Sequence, residues 1–201
     1  MARSLYIDRV VRVLRQGAED VVQRALAETV KRELGRVLVQ AQPDTYQQWI
    51  DGKLGAPIAS IGPAGIAYFE FSYIRTILGF AAEQLRQSSP VDIYDPDDRV
   101  FEESHLLFCD GKEVGTLKNG ADLTFIDRLD PRAEFVVTNA QPYAAKLERG
   151  LSDQAPDGVF RLVASTVSRR YGSIVTSRFL WLRLEGLEEA AAYPAIAIQA
   201  R

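Results

Sequence analysis

His105 and Cys109 are the residues of this chain whose types suit a nucleophile and its base. They lie four residues apart in HLLFC, a segment with the composition of a β-strand. Four residues of strand span roughly 13 Å, too far for proton transfer between the two side chains. With a single histidine and a single cysteine, the chain also lacks the residues for a disulfide framework or a usual zinc site. We therefore interpret Cys109 as a core residue and predict no catalytic role for His105.

Three other patterns in the sequence have features of binding sites. Carboxylates cluster between residues 92 and 103, as calcium ligands do, but Pro96 interrupts them and their spacing differs from an EF-hand loop. The segments GTLKNGA and DGKLGAP lack the glycine-lysine-hydroxyl ending of a phosphate-binding loop. Arginines and aromatics alternate in SRRYGSIVTSRFLW, yet burial in a strand accounts for Phe179 and Trp181. The sequence thus predicts no enzyme, no metal site and no cofactor.

The composition is that of a globular protein. Of 201 residues, 47% are hydrophobic and 25% are charged, which is enough to bury the core of one domain with extensions. A formal net charge of -3 argues against nucleic-acid binding through the overall field, although a basic patch remains compatible with it. No segment reaches the roughly 20 apolar residues of a membrane span, and the N-terminus is too charged for a signal peptide. We expect a protein that is cytosolic when made.

Two segments before Pro90 have helical periodicity. The first runs from about Leu5 to about Gln40 and is either an internal amphipathic helix or an arm that binds a partner. Its apolar stripe contains Val10, Leu14, Val21 and Ala25, and it is widened or extended by Val11, Val22, Leu26, Leu34, Val37 and Leu38. The second stops before Pro90. Its apolar residues, spaced by three and four, are Ile74, Ile77, Leu78, Ala81, Ala82 and Leu85.

Proline and glycine mark residues 41–65 as turns and loops, with a short helix expected in DTYQQWI behind Asp44 as N-cap. IAYFEFSYI predicts a strand or the start of a buried helix. After Pro90 the chain is mainly β in character. Asp110 and Gly111, between apolar runs, predict a hairpin, and AEFVVTN predicts a strand.

The C-terminal part predicts two strands and two helices. SIVTSRFLWLRLEG is apolar on both faces, which favours a central strand, whereas Pro194 favours an edge position for a last strand in AYPAIAIQAR. Two helical pieces lie between Pro142 and Tyr171. The apolar face of the second consists of Val159, Leu162, Val163, Thr166 and Val167.

These elements predict an α+β fold: an antiparallel β-sheet packed with one or two helices, plus a long N-terminal amphipathic helix. We expect two parts, an N-terminal helical extension and loop in residues 1–54 and an α+β domain in residues 55–201.

One stretch carries a recognisable signature of the form Asn-x-x-Pro-Tyr-Ala-x-x-x-Glu-x-Gly, followed by Ala-Pro-x-Gly before a helix. The matching positions are Asn139, Pro142, Tyr143, Ala144, Glu148, Gly150, Ala155, Pro156 and Gly158. This stretch resembles the tail-completion or neck family of tailed bacteriophages. The resemblance extends from about Gly55 to Ala164, and it departs from the family in VDIYDPDDRVFEE, where many members have a Gly-Arg or Thr-Gly turn.

The resemblance implies a non-enzymatic virion protein at the head-tail junction, made in the host cytoplasm and assembled into a closed, by analogy hexameric, ring. The implied partners are copies of itself and the head-closure and tail-terminator or tail-tube proteins, with DNA only as channel contents and no membrane. Two alternatives stay open. One is a portal-proximal adaptor that contacts DNA through Arg169, Arg170 and Arg178; the other is a cellular enzyme or ligand-binding domain.

The residues of the signature also have a physical interpretation. Pro142 fixes the entry to a short helix, Tyr143 buries its ring, and Gly150 ends the helix in a left-handed conformation. That helix then displays Lys146, Glu148 and Arg149 at the sheet edge for contact between subunits. The alternative is that the signature residues only shape the fold.

Overall fold

A computed structural model describes residues 2–90, 100–118, 120–183 and 192–201, with side chains from residue 15 onward except at residue 100. The chain divides into two compact units, Met1–Ser72 and Tyr73–Arg201. The first unit contains helix α1 (Ala2–Ala41) and strands β1 (Thr45–Ile50), β2 (Lys53–Leu54) and β3 (Ala67–Ser72). A three-stranded antiparallel sheet is thereby formed in the order β2-β1-β3.

Pairing between β1 and β3 shows that the helix expected in DTYQQWI is wrong, and it also determines the unit to which residues 55–72 belong. DTYQQWI forms β1, not a short helix, because a ladder that runs from Thr45 opposite Ser72 to Ile50 opposite Ala67 satisfies its backbone. The same ladder joins β3 to the N-terminal segment. Residues 55–72, which we expected in the α+β domain of residues 55–201, belong to the first compact unit.

The long helix α1 is present, and the expected stripe is buried only in part: Leu34 is buried, whereas other members of the stripe are exposed. Ala27 is buried with Ile50 and Ile61, and Leu26 and Val30 pack against that cluster. Of the predicted stripe, Val21 is 64% exposed and Ala25 is also exposed, while the side chains of Val10 and Leu14 lie outside the described residues. Apolar residues form two overlapping rows on this helix, and packing against the segment after β2 selects one of them.

The second unit is a five-stranded antiparallel sheet with helices packed on one face. Its strand order is β5-β4-β6-β8-β7. The elements are α2 (Ile74–Ser88), α3 (Val100–Glu103), β4 (His105–Cys109), β5 (Lys112–Thr116), β6 (Glu134–Asn139), α4 (Ala144–Glu148), α5 (Phe160–Tyr171), β7 (Val175–Leu182) and β8 (Tyr193–Ala200). The main core lies between the sheet and helices α2 and α5. This arrangement confirms the α+β class.

Two predictions for this unit are confirmed in detail. All six apolar residues predicted for the face of α2 are buried. Asp110 (φ 47°) and Gly111 (φ 78°) form the turn between β4 and β5, with two successive positive φ angles that match the twist of a hairpin. The AEFVVTN segment forms β6, which is almost wholly buried between β4 and β8.

The predicted positions of the last two strands were wrong in opposite ways. Strand β8 lies inside the sheet between β6 and β7, and β7 is the edge strand. Pro194 is tolerated because it lies opposite Trp181, one residue before the β6 ladder begins with Thr138 opposite Ala195. Its carbonyl still accepts a 2.8 Å hydrogen bond from Thr138 Oγ1. The apolar faces of β7 reflect packing against α5 on one side and a small cluster on the other.

Helix α5 also buries a slightly different face from the predicted one. Phe160 and Ala164 are buried together with Val163 and Val167, whereas Leu162 is 44% exposed. The helix starts at Phe160. Burial of this large side chain removes more apolar surface from water than burial of Leu162 would, so the packed face includes Phe160 instead.

Candidate functional site: the Glu148 turn

The second half of the signature, from Glu148 to Gly158, lies in one structural element, which we call the Glu148 turn (residues 148–161). It links the end of α4 to the first turn of α5. Although Glu148 was expected on the displayed face of α4, it is buried, with 6% of the residue exposed. Its position therefore excludes direct contact with the surface of a partner in this conformation.

The Glu148 carboxylate caps α5. Oε2 accepts hydrogen bonds from the backbone amides of Val159 (3.0 Å) and Phe160 (2.8 Å), and Oε1 accepts one from the amide of Arg161 (3.0 Å). These are amides that an α-helix leaves without intrahelical partners at its start. A negative charge at this end is also favoured by the helix dipole. Glu148 thus has a stabilising role, because it joins the end of α4 to the start of the next helix, α5.

Two glycines make this approach of Glu148 to α5 possible. Gly150 (φ 71°) ends α4 in the predicted left-handed conformation, and a β-carbon there would overlap the carbonyl oxygen of Pro156. Gly158 (φ 77°) passes close to Glu148, whose carbonyl oxygen would lie 2.8 Å from an added β-carbon. Ala155, which lies between the two glycines in the sequence, is buried. The Glu-x-Gly and Ala-Pro-x-Gly parts of the signature therefore fit together sterically.

The beginning of the signature closes the connection from β6 to α4. Asn139 is buried, donates from Nδ2 to the carbonyl of Phe101 (2.6 Å) and accepts at Oδ1 from the amide of Gln141 (3.0 Å). Pro142 is exposed at the entry to α4. Tyr143 does not bury its ring as expected: 39% of the residue is exposed, and its ring centroid lies 5.8 Å from that of Phe101.

Lys146 and Arg149 are exposed on α4 and at its end, as predicted. Arg149 places its guanidinium carbon 5.6 Å from the centroid of the Trp181 ring on the edge strand β7. The tryptophan itself is 38% exposed. Of the three charged residues expected at the sheet edge, the structure thus leaves two accessible and buries Glu148.

His105 lies in the core rather than in a site for chemistry. Its Nδ1 is 2.7 Å from the carbonyl oxygen of Glu102, so Nδ1 carries the proton, and Nε2 has no partner among the described residues. Burial lowers the pKa of His105 to about 4. The rings of Phe101 and Phe160 lie 5.5 and 5.6 Å away. The imidazole is therefore neutral near pH 7 and enclosed by apolar groups.

Cys109 ends the strand that begins at His105, and it is half-buried against the core. Burial, followed by the charges of Asp110 and Asp130, raises the pKa of its thiol. A protonated thiol is a poor nucleophile. The arrangement supports our interpretation of Cys109 as a packing residue.

The three arginines proposed for DNA contact point in different directions. Arg178 pairs with Glu134 at 2.5 Å, and the guanidinium carbon of Arg170 lies 4.5 Å from the centre of the Phe80 ring. Arg169 instead lines a groove beside α5. Since neighbouring positions of a strand alternate between faces, Arg178 lies on the face of β7 opposite to that groove. These residues do not form a single basic patch.

Neither a metal cluster nor a membrane helix is found in the described part of the chain. No three histidine, cysteine or acidic side chains there are placed to hold an ion, and Asp92, Asp95, Asp97 and Asp98 of the calcium hypothesis lie outside the described residues. Among the described helices, none has the length and apolar character that crossing a membrane requires.

Comparisons of the chain with protein-family models, with curated proteins and with solved structures give no match.

Proposed function

We propose that this chain is a structural virion protein of a tailed bacteriophage, a ring-forming tail-completion or neck subunit between head-closure and tail-terminator components. In this role it surrounds the DNA channel and catalyses no reaction. The observation that carries the proposal is the joint packing of the signature residues. One capped turn contains Glu148, Gly150, Pro156 and Gly158, as we expect of a signature whose residues determine the shape of the chain.

The accessible side chains next to that turn favour a contact role. Lys146 and Arg149 are exposed at α4, and Arg149 lies over Trp181 on the edge strand β7. Aromatic and arginine side chains are enriched where proteins bind one another. The buried Glu148 fixes the helix that carries them, so its structural role and a neighbouring interface are compatible.

A closed ring requires two different surfaces on each subunit. The sheet of the second unit provides two dissimilar edges, the five-residue β5 and the eight-residue β7. An edge strand has backbone groups ready to pair with another chain. On α1, Val21, Val22 and Val39 add exposed apolar surface, which suits the alternative of a partner-binding arm.

The divergence of Arg169, Arg170 and Arg178 favours the neck role over a DNA-contacting adaptor, for which converging arginines are expected. A cellular enzyme would need a pocket with perturbed ionisable groups. In the described residues, the strongly perturbed His105 lies in the closed core instead.

Particle composition tests the proposal. We expect mass spectrometry of purified phage particles to detect the chain and electron microscopy to place it as a ring at the head-tail junction. Light scattering of the purified chain should show a monomer, because we expect the ring to assemble only on the neck. Absence from particles, or density for the chain elsewhere in the virion, would contradict the proposal and favour a cellular role.

A further inference from the structure

An open groove of about 470 Å³ lies between helix α5 and the edge strand β7. Its polar lining comes from one face of the helix and from the strand residue that faces it, and Phe179 forms an apolar wall. The polar residues are Arg161, Ser165, Ser168, Arg169 and Ser177. Positions 161, 165, 168 and 169 share one side of α5 because they are separated by multiples of about one helical turn.

The lining is positively charged although the whole chain is not. Two arginines and no acidic residue line the groove, while the formal net charge of the chain is -3. Arg161 lies over the Phe179 ring at 4.7 Å and is 4.0 Å from Glu148 Oε1. That carboxylate is already bonded to the amides of α5, and its side chain is 1% exposed. Arg169 makes no ion pair within the described part of the chain.

Hydroxyl groups complete the set of donors. Ser165 and Ser168 are exposed on α5. Across the groove, Ser177 Oγ is buried and has no hydrogen-bond partner among the described residues. A buried hydroxyl without a partner is unfavourable, so such a group in a native protein needs an explanation, for example a hydrogen bond to a water or an ion. Among the described residues, the groove therefore offers the Arg169 guanidinium and the serine hydroxyls without a protein acceptor, next to Arg161, which also pairs with Glu148.

We propose that this groove binds a phosphate group. Guanidinium groups match the geometry of phosphate oxygens and form charge-assisted hydrogen bonds with them, and serine hydroxyls add neutral donors. Arg161 and Arg169 are eight residues apart on α5, about 12 Å along its axis, so they flank the three serines. The phosphate comes either from a small phosphorylated ligand or from a nucleic-acid backbone. This inference rests on the groove alone and does not depend on the neck role.

Binding of two probes to the purified full-length chain tests the site. We expect inorganic pyrophosphate, measured by calorimetry, or a short DNA duplex, measured by fluorescence anisotropy, to bind at low salt. Arg169→Gln should weaken that binding about tenfold or more, the usual effect of losing a charge-assisted hydrogen bond. Arg128→Gln, which removes the same charge from another exposed position, is the matched control.

The two probes separate the sources of phosphate. Pyrophosphate binding that depends on Arg169 supports a small ligand, and Arg169-dependent duplex binding supports a nucleic-acid backbone. Ser177→Ala gives a second variant; it should weaken the same probe while the urea midpoint of the protein stays unchanged or rises. Failure of both probes to bind, or equal losses in Arg169→Gln and Arg128→Gln, would overturn the proposal whatever the outcome of the particle experiments.

Discussion

Glu148 Oε2 accepts a 2.8 Å hydrogen bond from the amide of Phe160, twelve residues further along the chain. The bond ties the end of α4 to the start of α5 through a buried carboxylate. Usual capping boxes join residues three apart, so this cap depends on a loop that returns the chain to the same point. It accounts for the glutamate and both glycines of the signature without any catalytic role.

Glu148→Ala removes the acceptor of three backbone hydrogen bonds. We expect the free energy of unfolding to fall by about 3 kcal/mol, because buried amides are left without partners. Glu148→Gln keeps the shape but turns an NH₂ group toward amide donors, so it should lose about 2 kcal/mol. Urea unfolding measures both. Glu113→Gln, at an exposed position of β5, is the control and should change stability by less than about 0.5 kcal/mol.

Gly158→Ala combines an unfavourable backbone angle with a steric clash. Gly111 has nearly the same φ, 78° against 77°, but an added β-carbon there meets nothing within 4 Å. We expect Gly111→Ala to cost about 1 kcal/mol and Gly158→Ala at least about 2 kcal/mol, since the latter also displaces Glu148. Thermal unfolding of the two variants isolates the clash. Equal losses of stability in the two variants would show that the contact between residue 158 and Glu148 adds nothing to the destabilisation.

His105 gives the stability of the protein a defined pH dependence. Its pKa is about 4 in the folded state against 6.5 for an unperturbed histidine. The contribution of His105 to the free energy of unfolding is therefore fully present above pH 6.5. It is lost as the pH falls toward 4, because between these pH values only the unfolded chain takes up the proton. The loss at completion is about 3 kcal/mol.

His105→Asn isolates this effect because the chain has one histidine. Asparagine Nδ2 can replace Nδ1 as donor to the Glu102 carbonyl. We expect urea midpoints of the native protein and the variant to converge as pH is lowered from 7.5 to 4.5, a range set by the histidine titration. Parallel pH profiles would mean that His105 is not the titrating group.

The proposed neck role makes a separate prediction for the exposed residues of α4. Lys146→Glu combined with Arg149→Glu reverses two accessible charges next to the edge strand. We expect incorporation of the chain into particles to fall, while its free energy of unfolding, measured in urea, changes by no more than about 0.5 kcal/mol. Arg128→Glu, exposed elsewhere in the same unit, should leave incorporation unchanged. Normal incorporation of the double variant would exclude this part of α4 from the interface.

Local sequence was sufficient where the structure depends on local spacing. The buried face of α2 follows from apolar residues three and four apart, and the β4–β5 turn follows from Asp110 and Gly111, which tolerate positive φ. The left-handed end of α4 at Gly150 was predicted for the same reason. In each case the determining interactions lie within a few residues of one another.

Tertiary pairing decided what local spacing left open. The sequence of β8 contains a proline typical of edges, yet pairing with β6 and β7 on both sides places it inside the sheet. Glutamate is a residue type that is usually exposed on helices. Only the return of the loop through Gly158 shows that the Glu148 carboxylate accepts hydrogen bonds from the amides of α5. Strand order and long-range caps depend on hydrogen bonds between residues distant in sequence, and periodicity within one segment contains no information about them.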